Sequence, residues 1–182
     1  IIVLILVLLA VIVWWYRRKR AAASLPARRR RAGGGLLASV LVPAIDSGEI
    51  HLEYAVLTRE GIILVDVRDV CGHVFGSEPM QEWTVLDEKQ RFTFANPLPA
   101  LYDRVAAVRR LLPDVPVRGV VAFTARAVFT KGFPPSVVMI DTLLEQLQVA
   151  KVSTSGPPQH LLQAAWHQLC QTAKASTGTG KT

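Results

Sequence analysis

The stretch from His51 to Gly76, HLEYAVLTREGIILVDVRDVCGHVFG, restricts the fold more than any other part of this 182-residue chain. Two runs rich in Val, Ile, Leu and Tyr, Ile50–Thr58 and Ile62–Arg68, flank Arg59-Glu60-Gly61, and the glycine predicts a tight hairpin turn at positive φ. Both runs are apolar at successive positions, the pattern of strands covered on both faces, so the hairpin belongs inside a sheet. Its open end nevertheless carries Glu53, Asp66 and Arg68, charges that are costly to bury without partners.

Alternation along a strand groups Glu53 with His51, and Asp66 with Arg68. A two-residue turn pairing Thr58 with Gly61 sets Glu53 opposite Asp66 and His51 opposite Arg68, whereas a glycine bulge at Gly61 slips this register. Carboxylates facing each other across two strands repel. The first register therefore asks for a cation between them, either a metal or the guanidinium of Arg68. Glu49 reads either as a third carboxylate of the same strand face or as the strand's entrance.

With these residues in place, the segment resembles the NERD (nuclease-related) domain, a branch of the restriction-endonuclease-like PD-(D/E)XK superfamily. Glu53 takes the position of the family's first acidic residue, Gly61 its turn glycine, Asp66 the second acid and Arg68 the lysine. Gly72-His73-Val74-Phe75-Gly76, Trp83 and Asn96-Pro97-Leu98 follow in the family's order, and the likeness spans about Val40 to Leu147. It implies a mixed central α/β sheet flanked by helices, with Glu53 and Asp66 holding magnesium, Arg68 at a scissile phosphate, and Glu49 and His51 as possible additions. It also implies nucleic acid as the partner. Three departures bear on activity: arginine stands for lysine and cannot act as a base, Asp and Glu are exchanged, and the amino-terminal helix is cut down to Gly35–Ala44. Ala100 also stands where a first-turn Gln is usual. Three readings follow, a magnesium-dependent nuclease, a noncatalytic domain that binds nucleic acid or a protein partner at the membrane, and a wholly structural domain there.

The membrane enters through Ile1–Tyr16, IIVLILVLLAVIVWWY, which has no charge and ends in an aromatic cluster. A spanning helix takes about 20 apolar residues, so this run suffices if a few residues precede Ile1. Trp14, Trp15 and Tyr16 suit an interfacial belt, and Arg17-Arg18-Lys19-Arg20 suit the cytoplasmic side, so a single-pass anchor with a cytoplasmic carboxyl-terminal domain is expected at an inner or plasma membrane. A secretory signal would carry its charges before the apolar run.

Residues 17–31 hold eight Arg or Lys and no acid. Without them, 13 basic residues face all 14 acids over 32–182, a balance of about −1, so the formal +7 belongs to the linker. A basic face for duplex DNA is not foreseen in the folded part. Cys71 and Cys170 have no companion spacing, so neither a zinc site nor a disulfide framework is supported.

The domain plan is an anchor at 1–16, a basic linker at 17–35, a nuclease-related domain at 36–150, a linker and amphipathic helix at 151–173, and a flexible tail at 174–182. Within it, Val74-Phe75, Trp83–Leu86 and Arg91–Phe94 are expected to continue the sheet. A helix is expected over Ala100–Leu112 with Leu101, Val105, Val108 and Leu112 inward and its arginines mostly off that stripe. A buried parallel strand at Val117–Thr124, a short strand at Val137–Ile140, a helix capped by Asp141 and a helix at Gln159–Ala173 complete the plan. His73 lies near the acidic pair, and His160 and His167 share a face without a further ligand. The terminal Gly-Lys-Thr lacks the glycine and the following helix of a phosphate loop.

Overall fold

The hairpin forms with Tyr54 opposite Val65 and Leu57 opposite Ile62, the register of a two-residue turn. Its strands are β2 (Glu49–Leu57) and β3 (Ile62–Arg68). The Thr58 amide and hydroxyl both donate to Gly61 O at 2.8 Å, and Gly61 adopts φ +144°. A Cβ there would run into the carbonyl of Pro116, which accepts the Ile62 amide at 2.9 Å. The computed structural model describes residues 35–46, 48–88, 90–152 and 156–175. The expected anchor, most of the basic linker and the last seven residues lie outside them. Among the described residues no helix is long and apolar enough to cross a membrane.

The chain continues as a mixed α/β arrangement of two sheets. β1 (Leu36–Pro43) pairs antiparallel with β2, so the stretch before the hairpin is a strand rather than a shortened helix. After β3 come β4 (Gly72–Phe75), β5 (Glu82–Leu86) and β6 (Arg91–Ala95), then α1 (Pro97–Leu111) and β7 (Val117–Phe123). β8 (Ala127–Val128), β9 (Val137–Met139), α2 (Ile140–Val152), α3 (Gln159–Thr172) and β10 (Lys174–Ala175) complete it. The central sheet has the order β10-β1-β2-β3-β7-β9, with β7 parallel to β3 as the intervening helix predicts. β4, β5 and β6 do not continue it. Both edges of β3 are taken by β2 and β7, so these strands form a second sheet, β6-β5-β4-β8.

Apolar burial explains the layering. Val105, Val108 and Leu112, with Leu162, Ala165 and Leu169 of α3, pack on Leu52, Ala55, Ile62 and Leu64. Leu143 and Leu147 of α2 cover Ile63, Val65, Val120 and Ala122 on the other face. The second sheet packs Val74, Trp83 and Val85 onto Val121, Phe123 and the start of α1. Trp83 is fully buried and stacks on Phe123 with ring centres 6.1 Å apart. Asn96 caps α1, its Oδ1 accepting the Leu98 amide at 3.0 Å while its Nδ2 donates to Met80 O at 2.7 Å. Three boundaries differ from expectation. Asp141 lies inside the first turn of α2 rather than at its cap, that helix runs into the expected linker as far as Val152, and Lys174–Ala175 pairs with β1 instead of starting a free tail.

Candidate functional site

The β2–β3 ladder stops at Tyr54–Val65, one step before Glu53 and Asp66. Continued, it would give the Val67 amide to Leu52; instead that amide donates to Glu53 Oε2 at 2.9 Å. The strands thus fork, and side chains fill the gap. The fork has a cause in β1 and β2. Leu37, Val40 and Val42 pack into one core, as do Ala55, Leu57, Leu52 and Ile50, although strict alternation would separate these sets. Alternation therefore reverses at Ser39 and Glu53, the one pair missing from an otherwise continuous register, where Ser39 has φ +51°.

This reversal separates residues that alternation had grouped. Glu53 stays beside Asp66 and Arg68, whereas Ile50 and Leu52 turn to the core. His51 turns away, with Nε2 3.2 Å from Ser39 Oγ, and Glu49 accepts Lys174 Nζ at 2.7 Å at the sheet's margin. Neither imidazole nor Glu49 carboxylate joins the acidic pair. His73 is exposed on the second sheet, and His160 and His167 are exposed on α3.

The cation between the carboxylates is twofold. Arg68 lies 3.9 Å from Glu53 Oε2 through Nη1 and 3.9 Å from Asp66 Oδ2 through Nη2, with Nη1 donating to Val67 O at 3.2 Å. Arg104, from α1, is closer: its Nη1 meets Asp66 Oδ2 at 2.8 Å and its Nε donates to His51 O at 2.7 Å. Asp66 is 2% exposed, so its charge depends on this pairing. Glu53 is raised from its ordinary value of 4.5, first by burial; the Val67 amide lowers it, Asp66 raises it, and Arg68 and Arg104 lower it.

Arg104 was not foreseen as a site residue. It is three residues after Leu101 and four before Val108, which puts it on the buried side of α1. That spacing was the available signal.

A magnesium ion takes about six oxygen ligands near 2.0–2.1 Å. Here one oxygen of each carboxylate is already engaged, and two guanidiniums balance the two acids. Among the described residues no three His, Cys, Asp or Glu side chains converge. The fork as it stands does not fit the ion. What it presents outward is Arg68, whose side chain is 34% exposed and held by the bond to Val67 O and two long contacts to the acids. Beside it at the ends of β3 and β7, Asp69 accepts Thr124 Oγ1 at 2.8 Å and Arg126 Nε at 3.1 Å. A cleft of about 640 Å³ lies at the turn end of the hairpin, bordered by Thr58, Glu60, Arg109, Asp114 and Arg118, and includes neither acid.

The other landmarks of the resemblance have structural work. Gly61 and Gly72 pass close to the carbonyls of Pro116 and Leu86, and Gly76 leaves room for the Trp83 indole. Asn96 and Pro97 start α1.

No curated protein and no solved structure matches the chain. One family model does, described as a nuclease-related domain (NERD), over residues 15–124. This match starts earlier than the likeness over Val40–Leu147 and ends just after β7. It contains Glu53, Asp66, Arg68 and Arg104, and takes in more than half of the chain. The chain belongs to the NERD, or nuclease-related domain, family.

Proposed function

We propose that this protein is a membrane-tethered nuclease-related domain that binds nucleic acid through Arg68 at the β2–β3 fork and does not depend on magnesium. The observation that carries the reading is the pairing of Arg104 with Asp66 at 2.8 Å while Arg68 stands 3.9 Å from either acid. One guanidinium neutralises the buried carboxylate, and the other is left facing solvent. A guanidinium presents a planar fork of donors matched to phosphate oxygens. The degenerate Asp66-Val67-Arg68 motif in this reading keeps the family's strand geometry and exchanges metal chemistry for anion recognition.

The tether rests on the sequence. Sixteen uncharged residues, an aromatic triplet and Arg17–Arg20 fit a single spanning helix with the folded domain on the cytoplasmic side of an inner or plasma membrane.

The test is fluorescence anisotropy of the full chain in mild detergent with labelled single- and double-stranded DNA and RNA, beside a cleavage assay with magnesium or manganese. Salt-sensitive binding weakened by Arg68→Ala, without cleavage, is expected. Metal-dependent cutting abolished by Asp66→Ala would replace this reading with a working nuclease. Absence of binding would leave the protein-interaction alternative.

A further inference from the structure

The two arginines of the fork are not equivalent. Arg104 holds Asp66 at hydrogen-bond distance, and its Nε is anchored on the His51 carbonyl of the neighbouring strand. Arg68 reaches the same Asp66 oxygen only at 3.9 Å, and its firmer contact is with its own strand at Val67 O. Both guanidiniums thus compete for one buried carboxylate oxygen, and the helix-borne one holds it.

We infer that Arg104 is a positioning residue whose task is to occupy Asp66, so that Arg68 remains available to a phosphate. The inference rests on the nucleic-acid reading above and adds to it the group that keeps the site open. The geometry gives the reason. Asp66 is almost entirely out of water, and a buried carboxylate deprived of its partner recruits the nearest cation. Without Arg104, that cation is Arg68, two residues along the same strand face and already pointing Nη2 at the same oxygen. Closing the 3.9 Å gap turns an outward donor into an internal ion pair. Arg68 would still be present, but spent. Glu53 does not compete in the same way, because its Oε2 accepts the Val67 amide and is partly exposed.

The experiment measures binding of a fluorescein-labelled single-stranded DNA 20-mer to the full chain across a salt series, with circular dichroism as the fold control. One phosphate contact on a single strand contributes about 0.7 to the slope of log affinity against log salt. Arg68→Ala is expected to lose that contribution. Arg104→Met is expected to lose the same amount, although Arg68 is intact. Asp66→Asn combined with Arg104→Met is expected to restore the wild-type slope, because no buried charge remains to draw Arg68 inward. A merely structural Arg104 would lower stability but leave the salt slope of the folded Arg104→Met protein at the wild-type value. The double variant removes both charges together, so it keeps the test alive if Arg104→Met alone does not fold. An unchanged slope in Arg104→Met, or an Arg68→Ala-like slope in the double variant, overturns the inference while leaving the nucleic-acid reading intact. Failure of the wild-type chain to bind overturns both.

Discussion

Removing Arg104 should cost this protein several kcal/mol of stability, and the amount follows from what the side chain touches. Two hydrogen bonds disappear in Arg104→Met, the 2.8 Å bond to Asp66 Oδ2 and the 2.7 Å bond to His51 O. Methionine keeps most of the apolar stem, so the loss is chiefly electrostatic. Asp66 has 3% of its side chain exposed and Arg104 has 20%, which places the pair among buried ion pairs rather than surface ones. Breaking a buried pair by removing one partner costs about 3–5 kcal/mol. Arg68 offsets part of this by moving onto Asp66, so the lower end, about 3 kcal/mol, is expected. Asp66→Asn with Arg104→Met removes the stranded charge as well and should recover about 2 kcal/mol of that loss, a coupling typical of residues in direct contact. Urea unfolding of the four proteins of this cycle, followed by circular dichroism, reads both numbers. A destabilisation below about 1 kcal/mol in Arg104→Met would place the pair with exposed salt bridges and refute the account of the fork.

Two further outcomes are expected. Burial first raises the Glu53 carboxyl above 4.5, so the folded state holds its proton more tightly than the unfolded chain and stability from this group falls as pH rises from about 4.5 through the raised value; Glu53→Gln should flatten that segment of a pH-stability profile, and an unchanged slope would count against it. Gly61→Ala places a Cβ against Pro116 O at φ +144°, and should lower stability by about 3 kcal/mol in urea unfolding; a change within about 0.5 kcal/mol would show that the turn shifts freely.

Much of the central hairpin was legible in the residues. Gly61, flanked by two apolar runs, specified the turn, and the helix before β7 marked that strand as parallel; the choice of a two-residue register over a glycine bulge, and of β3 as the neighbour of β7, came from the structure. The opposed acids also announced that a cation was needed. The identity of the second cation was not legible, because Arg104 becomes a site residue only through Asp66, 38 positions away. Leu101, Arg104, Val105 and Val108 share one helix side, yet an arginine on such a stripe ordinarily reads as its edge. The face reversal at Ser39 and Glu53 was hidden for another reason. It is a backbone event without a glycine or proline to mark it, and it moved His51 and Glu49 out of the site. The strands of the second sheet were recognisable one by one, whereas their sheet membership depends on the occupied edges of β3. Two-residue strands such as β8 and β10 carry too little pattern to be read at all.

The direction of β1 has a mechanical consequence. Gly35, whose carbonyl accepts the Leu57 amide at 2.7 Å, enters the sheet beside the turn end of the hairpin, with Leu36 opposite Val56 and Val56 opposite Ile63. The fork opens at the other end. Tension entering through Gly35 and resisted at the fork therefore runs along the strands, and pulls β1 past β2 instead of peeling it away. Antiparallel hydrogen bonds lie perpendicular to that pull, so the whole β1–β2 ladder bears the load at once. Peeling would load one bond at a time. A domain loaded in this way yields late and all together.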